Sequence, residues 1–426
     1  MSTTTTTTTA PPPDLPVRLG WIGLGNMGIG MARNIQKHIA AMSATATTTS
    51  TATVTTAEMY PPLKVYNRTA SRCAGVEELG GVRCESVAQV VQGSDVVFLS
   101  LSDDAAVLEM VDQLVNTPPS SSQPEPPHSQ SQSQSRPQHN NAPPPLHGKI
   151  IIDTTTVHPD TTVAVQQTLA GQGGAQFAAM PVFGPAPVAA AGQLIAAFAG
   201  PRHVLDVISP FLGGVIAREV MYVGEEPEKA VLLKTTSNLL TATMTQAIAE
   251  AHVFAAKTGL PASTLERLLE LNLGPYAHLT SRRMTSGVYC PPAGEAPWSD
   301  LSLALKDVGH GVDTARRRGM RLRAGEATLE SLRMAARWAE HQQGQQGQEQ
   351  GQSRRLDSSS LFGAVREENG LEFESEVVKG GMARWGKEGE VVSSLRDVLS
   401  VGCAGEILWA WIYRYESFVV VVVAMP

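Results

Sequence analysis

A glycine-rich loop near the N-terminus constrains the fold of this chain more than any other segment. The stretch "RLGWIGLGNMGIGMARNIQ" holds Gly23, Gly25 and Gly28 in GxGxxG spacing, between a predicted strand and a predicted helix. In this arrangement the first glycine makes the tight turn, the second lets the backbone approach a pyrophosphate, and the third lets the helix pack on the strand. The N-terminus of the helix offers unpaired N–H groups to the phosphates. The loop therefore predicts a dinucleotide-binding domain; the alternative is an ordinary glycine-rich turn.

Short apolar runs alternate with helix-like segments over the first half of the chain. The runs are "RLGWIGLG", "LKVYNR", "DVVFLSL" and "KIIIDTT". This alternation is typical of βαβ units and a parallel sheet. After about residue 225 the strand signals stop, and helical patterns continue to about residue 370. The predicted fold class is an α/β Rossmann-type N-terminal domain plus an all-α C-terminal domain, joined by a long interdomain helix.

The predicted interdomain helix covers residues 227–258. Pro227 suits its first turn, and Gly259 suits its C-terminal cap. At 1.5 Å per residue the helix would be about 48 Å long. Lys234 and Asn238 stand at i and i+4 in its otherwise uncharged run "VLLKTTSNLL", so their side chains share one face.

Three low-complexity blocks interrupt the chain, at about residues 43–58, 117–145 and 341–354. Such compositions cannot bury enough apolar area to offset the entropy of ordering, so we predict disordered surface insertions. The predicted organisation is a disordered Thr/Pro-rich N-terminus (1–16), a Rossmann domain (17–224), a helical domain (225–370) and an extension of unknown role (371–426).

Composition argues against several classes of protein. A net charge of −7 gives no pull toward nucleic acid or anionic membrane. The four cysteines show no CxxC pair and the ten histidines no HExxH motif, so we expect reduced thiols, a cytoplasmic location and no metal. The N-terminus lacks the features of a signal or transit peptide. The terminal run "SFVVVVVAMP" is about half the length that spans a bilayer, so no membrane anchor is expected.

The end of the second predicted strand bears on the choice between NADP and NAD. An acid there would accept a hydrogen bond from the ribose 2′-OH of NAD, but the residues are Asn67, Arg68 and Thr69. A cation with a hydroxyl suits a 2′-phosphate. We therefore predict NADP as the preferred cofactor, with NAD as the alternative; Arg68 could equally be a solvated arginine at a strand end.

Lys234 is the candidate for proton transfer. Moving a hydride between an alcohol carbon and nicotinamide requires a partner for the hydroxyl proton, and no metal motif is present. A surface lysine, with a pKa near 10.4, is a poor base at neutral pH, but burial at a domain junction lowers that pKa. Asn238 on the same face would orient the substrate oxygen. The alternatives are a Lys234 that reaches solvent and an Asn238 that bonds a neighbouring backbone group.

Five motifs in order make the chain resemble the β-hydroxyacid dehydrogenase family, the group of 3-hydroxyisobutyrate dehydrogenase and 6-phosphogluconate dehydrogenase. They lie between Arg18 and about Asn369 and read "GLGNMGIGMA", "DTTTVHP", "PVFGPAPVAAAGQLIAAFAG", "KTTSN" and "LALKDV". The resemblance implies an NADP-dependent oxidoreductase that interconverts a small 3-hydroxy acid, or a similar alcohol, and its semialdehyde or oxo form. It also implies a homodimer or homotetramer in which the helical domain of one subunit completes the cleft of the other.

The resemblance also implies roles for individual residues. Lys234 would be the general acid/base, and Asn238 would fix the substrate. Thr155 could instead be a simple turn or helix cap, and Lys306 with Asp307 an exposed charge pair. The residues implied to bind the cofactor are Gly23, Leu24, Gly25, Asn26, Met27 and Gly28 at the phosphates, Asn67, Arg68 and Thr69 at the adenosine end, and Leu101, Ser102, Thr155 and Lys306 toward nicotinamide.

The predicted substrate-binding loop departs from the family pattern. The family usually has S-G-G, whose hydroxyl and N–H groups grip a carboxylate, whereas this chain has Phe183, Gly184 and Pro185. The side chain of phenylalanine has no donor and proline has no N–H, so two expected donors are lost. This predicts a larger, more apolar pocket with weaker selection for a carboxylate, and it puts 3-hydroxyisobutyrate itself in doubt as the substrate.

Two other functions compete with this interpretation. The lost donors and the long insertions also fit a catalytically silent NADP-binding scaffold, but the presence of Lys234 and Asn238 argues against it. The second is an imine-type reductase. Family members with that activity commonly replace the lysine, so Lys234 favours oxygen substrates.

Overall fold

A computed structural model describes residues 17–46, 60–117, 144, 146–345 and 354–380 of the chain. The predicted fold class is confirmed: a Rossmann-type sheet domain is followed by a helical domain, with one long helix between them. The predicted N-terminal segment 1–16 lies outside the described residues, as do most of the three insertions and the tail after residue 380.

Among the described residues, nine strands form one sheet in the order β3-β2-β1-β4-β5-β6-β8-β7, with β9 also paired to β8. The pairs from β3 to β6 are parallel, β8 is antiparallel to β6 and β7, and β9 is parallel to β8. The strands are β1 Leu19–Ile22, β2 Lys64–Tyr66, β3 Val82–Arg83, β4 Val96–Leu99, β5 Ile150–Asp153, β6 Gln176–Ala179, β7 Val182–Phe183, β8 Leu194–Ala199 and β9 Ala217–Gly224.

Helices cover both faces of this sheet. They are α1 Gly28–Ala46, α2 Ala74–Glu77, α3 Val87–Gln92, α4 Asp104–Val115, α5 Pro159–Thr168, α6 Ala186–Ala190 and α7 Arg202–Ile208. Successive strand residues point to opposite faces. Phe98 of β4 therefore packs in the core that contains α1, while its neighbour Leu99 packs in the core that contains α3 and α4. Burial on both faces explains why the strands read as continuous apolar runs.

The long helix α8 extends over Glu228–Thr258 and links the two domains. Gly259 caps it with a left-handed φ of 76°, as the sequence predicts. Near its start, Val231 packs against alanines of the sheet. Near its end, Val253 belongs to the core of the helical domain. The segment around Lys234 therefore lies at the junction of the two domains.

The helical domain continues from α8 into α9 Ala262–Thr285, which is kinked at Gly274, next to Pro275. The remaining helices are α10 Leu301–Arg317, α11 Arg323–Gln345, α12 Leu361–Glu368 and α13 Glu376–Lys379. None of the helices in the described ranges is long and apolar enough to cross a membrane.

Several edges of the predicted segments need correction. Residues 43–46 belong to α1 and residues 341–345 to α11, because a helix continues through the first positions of both low-complexity blocks. At the far end of the third block, Arg354 is held by Glu374 and by the carbonyl groups of Cys290 and Pro291. The predicted insertions therefore begin later or end earlier than their composition indicates.

The helical domain also extends beyond its predicted end at residue 370. Phe373 is buried and stacks on Trp338 with the ring centroids 3.9 Å apart. The hydroxyl of Tyr289 donates to the carbonyl of Phe373 at 2.8 Å. Residues 371–380 therefore belong to the core of this domain rather than to a separate extension.

Candidate active site

The glycine loop combines tight packing with open space. Gly23 has a φ of 97°, and its N–H donates to the Tyr66 carbonyl at 3.0 Å. A Cβ at Gly23 would collide with the Ser100 carbonyl, and one at Gly28 with the Gly23 carbonyl. At Gly25 a Cβ would meet no atom within 4 Å. Two of the glycines thus bring β1, β4 and α1 together, while the third leaves room for a ligand against the backbone.

Two arginines accompany the loop on its β2 side. The Asn67 side chain accepts from the Leu24 N–H at 2.8 Å and donates to the Thr69 carbonyl at 3.0 Å, so it holds the loop. Arg72 donates to the Leu24 carbonyl at 3.3 Å, and Arg68 is exposed. Arg72 is not among the residues predicted from the sequence. It lies in the short 3₁₀ helix Ala70–Cys73, which begins just after Arg68 and Thr69, and a second basic side chain so close to Arg68 is the signal that points to it.

The predicted nicotinamide side lies at the carboxyl ends of β4 and β5. The Leu101 N–H donates to Thr155 Oγ1 at 3.0 Å, and the Thr155 N–H donates to Asp153 Oδ1 at 2.9 Å. Thr155 is thus a buried link between the two loops. Ser102 lies beside it and donates to Asp103 at 2.8 Å. Burial raises the pKa of Asp153 to about 6.

Lys306 reaches this region from the helical domain. Its ammonium donates to the Thr156 carbonyl and lies 3.3 Å from Asp307 Oδ1. The other oxygen of Asp307 accepts from the Asn238 amide at 2.6 Å. The side chains of Lys306 and Asp307 are only 19% and 18% exposed, so the alternative of an exposed charge pair is wrong.

Lys234 lies one helical turn before Asn238 on α8. Among the described residues, no carboxylate lies within ion-pair distance of its ammonium. Burial lowers the pKa of Lys234 to about 8; the charge of Asp307 opposes this shift and that of Lys306 adds to it. At pH 7 about one-tenth of the amine is therefore neutral, so both protonation states are populated, as a group that exchanges protons requires.

The substrate-binding loop predicted from the sequence lies beside this lysine. The ring of Phe183 is centred 4.8 Å from Lys234 Nζ. Phe183 ends β7, where it pairs with Ile195 of β8. Pro185 occupies the N-cap position of α6, where it has no N–H to offer. The structure thus brings Phe183, Lys234, Asn238 and Asp307 together at the junction of the two domains.

Comparison with known proteins identifies the family. The model of the NAD binding domain of 6-phosphogluconate dehydrogenase matches residues 18–122 and 137–224. The NADH-dependent oxidoreductase ucdB of Aspergillus ustus is 29% identical over 318 residues, which cover 73% of this chain and 92% of the relative. Glyoxylate/succinic semialdehyde reductase 1 of Arabidopsis thaliana is 27% identical over 262 residues, 60% of this chain and 72% of the relative.

The nucleotide-binding domain of the chain belongs to the family of the NAD binding domain of 6-phosphogluconate dehydrogenase, and the chain as a whole is similar to β-hydroxyacid dehydrogenases of the 3-hydroxyisobutyrate dehydrogenase type. It is an NAD(P)-dependent oxidoreductase of the hydroxyacid dehydrogenase/reductase type, acting on CH–OH groups. The 3-hydroxyisobutyrate dehydrogenase of Mycobacterium tuberculosis shares its fold, with a TM-score of 0.59 and 19% identity; the match covers 83% of this chain and 100% of that one. The predicted family and the predicted use of NAD(P) are confirmed.

The protein also has a polar cluster between its domains that is not predicted from the sequence. Asp104 accepts from the His158 N–H and from the Thr161 hydroxyl, both at 2.7 Å, and lies 3.3 Å from His310 of α10. His158 in turn lies 3.4 Å from Asp313. Although burial opposes it, hydrogen bonding from His310, Thr161 and His158 holds the pKa of Asp104 well below its usual range. The cluster joins α4 and α5 to α10.

Metal ligands are not assembled in this dehydrogenase as far as the structure describes it. No group of three or more His, Cys, Asp or Glu side chains in the described ranges is arranged to hold an ion.

Proposed function

We propose that this protein is an NADP-preferring oxidoreductase that interconverts a small 3-hydroxy acid, or a similar alcohol, and its semialdehyde or oxo form, with Lys234 as the general acid/base. The observation that carries the proposal is the partly buried Lys234, with a pKa of about 8, one turn from Asn238 at the domain junction. The names of two relatives, a glyoxylate/succinic semialdehyde reductase and a 2-(hydroxymethyl)glutarate dehydrogenase, support this substrate class.

The glycine loop fits the cofactor phosphates. The open space at Gly25 lets a pyrophosphate approach the backbone, and α1 begins at Gly28 with its positive dipole end toward that space. When bound, NAD(P) supplies the hydride acceptor or donor. The residues that would surround the phosphates are Gly23, Leu24, Gly25, Asn26, Met27 and Gly28, and those toward nicotinamide are Leu101, Ser102, Thr155 and Lys306.

Arg68 and Arg72 support the preference for NADP. Both flank the β2 side of the loop, where the adenosine ribose lies in Rossmann domains. Guanidinium groups pair well with a phosphate, and the Thr69 hydroxyl is exposed beside them. Since both polar atoms of Asn67 already bond within the protein, we assign it to positioning the loop.

Lys234 would exchange the proton of the reacting oxygen. In oxidation, the neutral amine removes the hydroxyl proton as the alcohol carbon loses its hydride. In reduction, the ammonium returns a proton to the oxygen as the carbonyl becomes an alcohol. Because its pKa is about 8, Lys234 is available in both protonation states near neutral pH. Asn238 would orient the substrate, since its amide is held by Asp307.

Replacement of Lys234 tests this proposal. We expect Lys234→Ala to bind NADPH normally, as measured by fluorescence titration, and to lose about 10²- to 10⁴-fold in kcat for semialdehydes and glyoxylate. Lys229→Ala is the matched control, because Lys229 lies on the same helix but is exposed. Undiminished turnover by Lys234→Ala would contradict the role of Lys234. Absence of turnover of every carbonyl by the cofactor-loaded wild type would contradict the enzyme activity.

We also propose that the protein is a homodimer, with a homotetramer as the larger alternative. Large apolar side chains are exposed on α8 and α9, among them Phe254 and Leu271, each 68% exposed. Several large apolar side chains exposed on neighbouring helices support an interface at this surface. Analytical ultracentrifugation at micromolar concentration tests this, and a monomer there would contradict it. The buried free thiols of Cys73, Cys84 and Cys290 support a cytoplasmic location, which imaging of the tagged protein would test.

A further inference from the structure

Phe183 lies against the proposed proton-transfer group. Its ring centroid is 4.8 Å from Lys234 Nζ, within the range of a cation–π interaction. The ring has little freedom to move away. Its backbone pairs with Ile195, and its side chain packs against a buried cluster of four alanines and Val231. A substrate whose reacting oxygen contacts Lys234 therefore brings its neighbouring atoms against this ring.

Two of the groups that would hold a carboxylate at this position are missing, and a third is engaged. The side chain of Phe183 has no donor, and Pro185 has no N–H, so of the two glycine N–H groups in the S-G-G pattern only that of Gly184 is kept. The second ammonium of the cleft, that of Lys306, is already bonded to the Thr156 carbonyl and paired with Asp307. A carboxylate against the Phe183 ring would lose hydration without gaining a full set of partners, and burial of such an ion is costly.

The charges around the two lysines also disfavour a carboxylate on the substrate. Asp103 and Asp153 both interact electrostatically with Lys306, and Asp307 interacts with Lys234. The Lys306 ammonium is therefore already paired with a carboxylate of the protein, and the Lys234 ammonium lies in the field of the same carboxylate, that of Asp307. A further anion would be repelled by these carboxylates at short range.

We infer that the substrate of this site carries an uncharged, apolar substituent, such as an ester, aryl or branched alkyl group, where relatives with S-G-G would hold a carboxylate, and that Phe183 determines this specificity. The inference rests on the proposed function, because it takes Lys234 as the point that the reacting oxygen contacts. The apolar substituent packs on the ring of Phe183 and is removed from water there, which stabilises the complex.

A matched pair of alcohols tests the inference: 3-hydroxyisobutyrate and its methyl ester, which differ in charge at one end. In oxidation with NADP⁺, the alcohol loses a hydride to NADP⁺ and its hydroxyl proton to Lys234. We expect the wild type to have a kcat/KM at least about tenfold higher for the ester than for the acid. Phe183→Ser restores a donor and should shift that ratio toward the acid by about tenfold. Phe183→Leu, which has no donor either, should keep the preference for the ester.

Binding without turnover separates this inference from the proposed function. With NADPH bound, neither alcohol can react, so calorimetry reports the Kd of each. If the wild type oxidises neither alcohol but binds the ester more tightly, the proposed acid/base function fails and the assignment of Phe183 stands. Tighter binding of the acid, binding of neither compound, or an ester-to-acid ratio that is the same in wild type and Phe183→Ser would overturn the inference.

Discussion

The side-chain amide of Asn238 donates a 2.6 Å hydrogen bond to the carboxylate of Asp307, across the gap between α8 and α10. Asn238 shares its helix face with Lys234, and Asp307 is adjacent to Lys306 in the chain. The same carboxylate opposes the lowering of the pKa of Lys234 by burial. The orientation of the amide and the protonation of the amine therefore depend on one side chain.

The pH dependence of the reaction should follow Lys234. Oxidation requires the neutral amine, so its kcat/KM should rise with pH through about 8, and reduction requires the ammonium, so its kcat/KM should fall through the same range. Asp307→Asn removes the charge that favours the ammonium, so the midpoint of both profiles should move to lower pH. Initial rates across a pH series measure this. A midpoint that stays in place or rises would contradict the coupling of Asp307 to Lys234.

Arg72 should contribute to the discrimination between NADPH and NADH. Arg72→Ser removes a guanidinium from the β2 side of the glycine loop, so we expect the Kd of NADPH to rise by about tenfold or more. The Kd of NADH should change much less, because NADH has no 2′-phosphate. Arg83→Ser is the matched control, since Arg83 is exposed on β3 and pairs with Glu85. An equal loss for both cofactors would assign Arg72 to holding the loop.

Substitutions at two glycines of the loop should have different effects on cofactor affinity and on thermal stability. Gly25→Val places side-chain atoms in open space, so it should weaken NADPH binding while the Tm of the protein without cofactor changes little. Gly28→Val drives a Cβ into the Gly23 carbonyl, so it should lower both affinity and Tm. Fluorescence titration and thermal unfolding of the two variants measure this. Normal NADPH affinity in Gly25→Val would argue against the pyrophosphate site.

Asp153 should make the stability of the protein depend on pH. Burial raises its pKa in the folded state from 3.8 to about 6. The folded protein therefore binds more protons than the unfolded chain between these values, and its stability falls as pH rises through that window. Asp153→Asn keeps an oxygen that accepts from the Thr155 N–H. It should remove this loss in the free energy of unfolding, which is on the order of 3 kcal/mol above pH 6. Urea unfolding of both proteins from about pH 4 to about pH 7 measures the difference; a gap that does not grow with pH would contradict it.

The sequence predicts those parts of the fold whose signal is local. Strands β1, β2, β4 and β5 appear as apolar runs, and the left-handed cap at Gly259 follows from its residue type. Strands β7 and β8 escape prediction because β7 has only two residues and β8, "LIAAFA", is rich in alanine. Alanine has a low β-propensity, and its place in this strand depends on packing against α8.

The same limit applies to the candidate site. Lys234 and Asn238 could be paired from their spacing on one helix. The approach of Phe183 to Lys234 could not, because it depends on how β7 packs beside α8. Likewise, no local pattern places His310 against Asp104 or Lys306 against Thr156, since each pair joins elements that are distant in the chain.

The contact from Lys306 to the Thr156 carbonyl has a consequence for how this protein can diverge. The donor belongs to the helical half of the chain and the acceptor to the nucleotide-binding half, so neither half contains all the groups that line the cleft. The acceptor is a main-chain carbonyl, which any residue at position 156 would supply, whereas the donor requires the lysine side chain at position 306. An exchanged nucleotide-binding half would therefore keep this contact only if its loop after β5 followed the same path, while an exchanged helical half would also need the lysine.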